Sequence, residues 1–137
     1  MRASRAIPPA RRRPTPEGKI EFRLERRPRY LRVAIRGEAG FDQAEVLSAQ
    51  LLRMPLGGSS LVVLDLAQLT FLSSLAMGAL NEYRRGVGRH GVEVRLANVQ
   101  PLVWMELELA GLGKSFERID LEEPAPNGGQ RSGVAPA

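Results

Sequence analysis

Leu61-Val62-Val63-Leu64-Asp65-Leu66, followed after four residues by Phe71-Leu72-Ser73-Ser74-Leu75-Ala76-Met77-Gly78, is the stretch on which the fold turns. Its first six residues are apolar except for Asp65 and lack the alternation of a strand that shows one face to water. A continuous run of this kind suits a strand covered on both faces of a partly parallel sheet, so it is placed at the sheet's centre. Beyond it, Leu75, Ala79, Tyr83 and Val87 recur every fourth residue with Ala76 and Leu80 beside them, while Asn81, Glu82, Arg84, Arg85 and Arg89 point elsewhere. This spacing predicts an amphipathic helix, stopped by Gly91.

Working back toward the N-terminus, Ile20, Phe22 and Leu24 alternate with Glu21, Arg23 and Glu25, and Leu31, Val33 and Ile35 alternate with Arg32, Ala34 and Arg36. Two half-buried strands follow, paired as a hairpin across Arg27 and Pro28 and closed by Gly37 and Gly40. Asp42 with Glu45 three residues on resembles a capping box, and Ala44, Leu47 and Leu51 share one face of the helix it opens, which ends near Met54 and Pro55. Toward the C-terminus, Val92, Val94 and Leu96 alternate as another strand. Pro101 then suits a first helical turn, Leu102, Met105, Leu109 and Leu112 predict that helix's apolar stripe, and Gly111 its C-cap. A short strand around Phe116–Ile119 completes the sheet. The expected fold class is α/β: a single domain over residues 19–121, with a mixed sheet of about five strands flanked by helices in the order β-β-α-β-α-β-α-β.

Of 137 residues, 43% are hydrophobic and 26% charged, an ordinary globular composition, and no apolar run reaches the ~18 to 20 residues of a membrane-spanning helix. No membrane partner is expected. The net charge is +5, but residues 1–18 hold five arginines against one glutamate, +4, which leaves +1 for the rest. Residues 1–18, with four prolines among the arginines, are expected to be a disordered basic tail, and residues 122–137 a flexible one. A tail of this kind touches phosphates without specificity, and no specific nucleic-acid partner is expected. The arginines at 11–13 stand where a signal peptide needs its apolar segment, so a cytoplasmic location is expected. Zero cysteines exclude disulfides and thiolate metal sites, and a single histidine, His90, argues against a histidine-built metal or triad site. No metal site, cofactor or catalytic residue is expected, and none of the phosphate-loop, dinucleotide, nucleophile-elbow or zinc-protease motifs occurs. The chain reads as a binding protein, not an enzyme.

Chemistry concentrates in the segment between the central strand and the amphipathic helix. Ser73 and Ser74 form a hydroxyl pair at a helix start. One reading is a plain N-cap, accepting a backbone N–H. The other follows from charge: no acidic residue lies between Phe71 and Asn81, so the helix's positive end has no acidic side chain opposite it. A phosphate of about −2 on one serine would meet the free amides and change the sign of the surface in one step. Trp104 has two readings as well, a core residue or an interface anchor. Arg84 and Arg85 are either solvated or part of a complementary face.

Gly37-Glu38, Val62-Val63-Leu64-Asp65-Leu66, Phe71 to Gly78, Asn98-Val99-Gln100-Pro101 and Gly111-Leu112-Gly113-Lys114-Ser115-Phe116 together resemble the STAS domain family, and in particular its bacterial anti-sigma factor antagonists, over roughly Lys19 to Ile119. The resemblance implies a serine after the central strand that is phosphorylated by an anti-sigma factor with serine-kinase activity. It also implies that the unphosphorylated form binds that kinase, that the phosphorylated form lets go, and that a phosphatase resets the cycle. The family loop reads Asp-Ser-Ser-Gly-x-Gly with the first Ser as acceptor. Aligning its last Gly with Gly78 puts Ser74 on the acceptor, with Ser73, Leu75 and Ala76 in place of the Asp, second Ser and first Gly. Ser73 is the reserve acceptor, and Ser73, Ser74, Leu75, Met77, Gly78, Arg84 and Arg85 form the expected partner surface. The same departures leave open a STAS scaffold that is never phosphorylated, as in stress-signalling or lipid-transport complexes. The oligomeric state is not legible.

Overall fold

A computed structural model describes residues 19–121. The expectations for residues 1–18 and 122–137 lie outside the described residues. Nine principal elements follow one another: β1 (Ile20–Arg26), β2 (Leu31–Ala39), α1 (Ala44–Arg53), β3 (Leu61–Asp65), β4 (Leu69–Leu72), α2 (Ser74–Gly88), β5 (Glu93–Ala97), α3 (Pro101–Leu109) and β6 (Glu117–Ile119), with a short 3-10 turn at Phe41–Gln43 before α1. The sheet order is β1-β2-β3-β5-β6, and β4 pairs with the far end of β2. The β1–β2 pair is an antiparallel hairpin with Phe22 opposite Ile35, and every other pairing is parallel. The sheet is thus mixed, with β3 at its centre.

Alternation along the strands divides the sheet into two unlike faces. Leu31, Val33, Ile35, Val62, Leu64, Val94 and Leu96 form one hydrophobic core with Ala44, Leu47 and Leu51 of α1, Ala76, Met77, Leu80 and Tyr83 of α2, and Val103 and Leu107 of α3. The other face carries charge. Glu25, Arg32, Val63, Arg95 and Glu117 stand side by side across five strands. Arg32 Nη1 is 3.1 Å from Glu25, and Arg95 Nε is 2.7 Å from Glu93 and 3.4 Å from Glu117. Opposite charges on neighbouring strands attract across the pleat.

Four expectations are corrected. The described residues make six strands where about five were expected, because Leu69–Leu72 pairs with β2. Gly37 therefore does not close β2 but lies inside it, at an irregularity between Gly37 and Glu38. It sits at φ +110, and a β-carbon there would come within 2.1 Å of the Lys19 carbonyl oxygen, so the hairpin's close approach demands glycine. Asp42 is no cap: it lies inside the 3-10 turn, and the N-cap of α1 is Gln43, which makes no side-chain capping bond.

The stripe of α3 is also turned. Val103 and Leu107 face the core, Leu112 and Trp104 pack at its margin, and Leu102, Met105 and Leu109 are exposed. Because α3 is apolar on nearly every side, its period fits two stripes and only the tertiary packing chooses between them. Gly111, at φ +81, ends α3 as expected. The Leu112 amide donates to Leu107 and the Gly111 amide to Glu108, the paired bonds of a Schellman motif.

Candidate functional site

The carboxyl ends of parallel strands are where an α/β sheet leaves room for a site, and here that edge is organised by Asp65. This carboxylate, the last residue of β3, is buried. Its Oδ2 accepts from Arg32 Nε at 3.1 Å and from Arg32 Nη2. Its Oδ1 accepts from the Ala67 amide at 3.0 Å and from Asn98 Nδ2 at 3.2 Å. Asn98, in the left-handed region at φ 55, accepts from the Leu121 amide through Oδ1, and Gln100 Nε2 donates to the Ala67 carbonyl at 2.7 Å. One buried acid thus ties together the ends of β3 and β5 and the segment leaving β6. A buried charge persists only when paired and hydrogen-bonded in this way. Asp65 is structural, and it fixes the platform from which the chain runs through β4 into α2.

At the start of α2 the two serines separate. Ser73 is the N-cap in extended conformation and buried, and its hydroxyl accepts from the Ala76 amide at 3.2 Å while its own amide donates to Ala39 at 2.8 Å. Ser74 is the first helical residue and exposed, and its hydroxyl has no partner among the described residues. No acidic residue occupies the first turn.

The remaining expected contact residues divide as well. Leu75 belongs by spacing to the apolar stripe of α2, yet it is exposed and stands next to Ser74. Met77 is buried in the core and leaves the surface. Gly78 is exposed, one turn after Ser74. Arg85 lies on the same face about 16 Å along the helix, at 1.5 Å per residue. Arg84 is held by two bonds to Asn81 Oδ1, at 2.9 and 3.2 Å, and stacks 5.6 Å from the Phe116 ring.

Two residues enter that the sequence did not nominate. The Ser73–Ala39 bond and the β4–β2 pairing, with Leu72 opposite Ala39 and Phe71 opposite Glu38, draw the start of α2 to the end of β2. Phe41, two residues beyond Ala39, and Phe71 are both exposed there, at 64% and 42%. With Leu75 at 57%, they give the Ser74 neighbourhood three large apolar side chains in water. Clustered exposed apolar groups mark interaction surfaces, whereas single ones do not. Trp104 is neither buried core nor free anchor: it lies half-buried under the Arg118 guanidinium, 4.3 Å from its ring.

A scan against family models matches the STAS domain over residues 21–124. No curated protein matches by sequence. Among solved structures, an anti-sigma factor antagonist from Mycobacterium paratuberculosis is 21% identical with a TM-score of 0.65, covering 74% of this chain and 86% of that one. The Bacillus cell fate determinant SpoIIAA in its phosphorylated form is 21% identical with a TM-score of 0.57, covering 75% and 93%. A serine-to-glutamate form of RsbS from Moorella thermoacetica is 19% identical with a TM-score of 0.61, covering 74% and 87%. At these identities the likeness concerns the fold. No helix among the described residues is long and apolar enough to cross a membrane.

Proposed function

The chain belongs to the STAS domain family, and on that premise we propose that it is a regulatory binding module of the anti-sigma factor antagonist type, with Ser74 as its switch. The observation that carries this reading is the division within the serine pair: Ser73 is buried and bonded to the helix, whereas Ser74 is exposed with its hydroxyl uncommitted. A kinase needs an accessible hydroxyl, and only the second serine offers one. A phosphate there carries about −2 charge. It lies at a helix start with no acidic residue in its first turn, so the helix favours it. The same charge would enter a surface built of Phe41, Phe71 and Leu75, which a partner must desolvate in order to bind. In this reading the unphosphorylated face docks an anti-sigma factor with serine-kinase activity, the phosphorylated face releases it, and a phosphatase restores the first state.

The glycines of α2 support docking along its outer side. A glycine inside a helix costs about 1 kcal/mol relative to alanine. At Gly78 and Gly86 a β-carbon would meet nothing within 4 Å, so the chain's own packing does not ask for glycine. Close approach of a partner at Gly78, between Ser74 and Arg85, supplies a reason.

A second reading, a STAS scaffold that is never phosphorylated, is favoured by bulky Leu75 beside the acceptor and by Ser73 where the family loop has its acid. Intact-mass analysis of the protein from its native cells, with peptide mapping and a Ser74→Ala control, separates the two. A phosphate on Ser74 that vanishes in the variant supports the switch. An unmodified Ser74 across growth and stress conditions favours the scaffold.

A further inference from the structure

β1 bounds one side of the sheet, and its outer edge pairs with no strand among the described residues. An open edge is a template for another strand, and proteins blunt it with a proline or a bulge. Neither interrupts this one: Ile20–Arg26 runs seven residues without proline, and its register against β2 is continuous. The bonds at its two ends show which backbone groups face outward. The Lys19 carbonyl accepts from the Glu38 amide at 3.2 Å, and the Arg27 amide donates to the Tyr30 carbonyl at 2.9 Å, so the odd-numbered residues bond inward to β2. Hydrogen-bonded pairs alternate along an antiparallel ladder, so Ile20, Phe22, Leu24 and Arg26 turn their N–H and carbonyl groups to the open edge. The side chains of the first three lie on the core face, where Ile20 and Phe22 pack at the core's margin and Leu24 stands 41% exposed. The other face alternates in charge through Glu21, Arg23 and Glu25, and neither Lys19 nor Arg23 has an ion pair among the described residues.

We propose that this edge is a self-association surface, on which β1 of a second copy pairs antiparallel about a two-fold axis between the paired Phe22 residues and joins two sheets into one. A two-fold contact sets residue i against j and j against i, so the strand's own sequence decides whether it can pair with itself. Centred on Phe22, it can. Phe22 meets the partner's Phe22, Ile20 the partner's Leu24, Glu21 the partner's Arg23 and Lys19 the partner's Glu25. The apolar pairs are the hydrogen-bonded ones, and they continue the core face from one copy to the next and cover Leu24. The charged pairs fall at the non-hydrogen-bonded positions, where opposing side chains come closest. Other registers lose this match. Centred on Glu21 or Arg23, that residue meets its own copy, and centred on Leu24, Phe22 faces the partner's Arg26 and Ile20 the partner's Pro28. A second copy therefore supplies by symmetry the alternation that the edge requires. One strand pair is small beside a standard interface, so the dimer is weak and forms at high protein concentration. It uses no residue of the Ser74 surface and does not depend on the serine switch.

The test is sedimentation equilibrium of the full chain from micromolar to millimolar concentration, with circular dichroism confirming that each variant is folded. A reversible monomer–dimer equilibrium is expected. Arg23→Glu sets an acid against the partner's Glu21 at both symmetry-related positions, and should weaken the dimer roughly tenfold or more. Arg23 lies opposite Ala34 on β2 and is exposed, so the fold does not depend on its charge. Glu21→Arg should weaken the dimer likewise, and either the exchange Glu21→Arg/Arg23→Glu or an equimolar mixture of the two single variants should restore it. Leu24→Lys, which sets a cation against the partner's Ile20, should remove it, and Ser74→Ala should leave it unchanged. A monomer at every concentration, a dimer indifferent to Arg23→Glu and Leu24→Lys, or single variants that neither exchange nor mixing rescues would overturn the proposal.

Discussion

Replacing each serine of the pair by alanine should give unequal results in a stability measurement, and the contrast tests the assignment of roles on which the switch depends. Ser73 supplies the N-cap bond to the Ala76 amide, 3.2 Å away, and both residues are buried. Loss of a serine cap costs about 0.5–2 kcal/mol. No acidic residue in the first turn compensates, and the freed amide is cut off from water, so Ser73→Ala should lie toward the upper half, about 1–2 kcal/mol. For a domain near 100 residues that is a fall in Tm of roughly 5–15 °C. Ser74 is exposed and bonded to nothing among the described residues, so Ser74→Ala should stay within about 0.5 kcal/mol of the parent. Ser74→Glu should gain about 0.3–1 kcal/mol at low salt from the helix dipole, and lose that gain as salt rises. Urea unfolding followed by far-ultraviolet circular dichroism, which reports helix content, reads all three. Equal losses at the two positions, or a neutral Ser73→Ala, would refute the division into cap and acceptor.

Gly78→Ala should raise stability by about 0.5–1 kcal/mol, because nothing stands where its β-carbon would go, and should weaken capture of the partner; unchanged binding would remove the glycine argument for docking on α2. Breaking the buried pair at the centre of the platform is another matter. Asp65→Ala should cost about 3–5 kcal/mol, toward the lower end because Arg32 keeps Glu25 at 3.1 Å, and Arg32→Met/Asp65→Ala should cost less than the two single changes together. Additive losses in a double-mutant cycle by urea unfolding would show that Arg32 and Asp65 are not coupled.

The sequence by itself determined most of the scaffold. Alternation over Ile20–Leu24 and Leu31–Ile35 specified the hairpin, the unbroken run from Leu61 specified the central strand, and fourfold spacing specified α2, because each signal arises from burial along a single element. It could not orient α3, where apolar residues on nearly every side leave two stripes equally periodic, nor show β4, whose four residues become a strand only by pairing with the end of β2. The site divides in the same way. The serine pair, its uncharged helix start and the glycine beyond it are local and legible. Which serine is buried, the turning of Met77 inward and Leu75 outward, and the arrival of Phe41 and Phe71 beside Ser74 depend on the contact of α2 with the end of β2. The seating of Arg26 over Gly57 depends on tertiary contact in the same way, since the turn and the loop lie about thirty residues apart in the chain and the arginine bonds to Pro55 and Leu56. Sequence periodicity reports which face of an element is buried; which residues distant in the chain share a surface is settled by tertiary pairing alone.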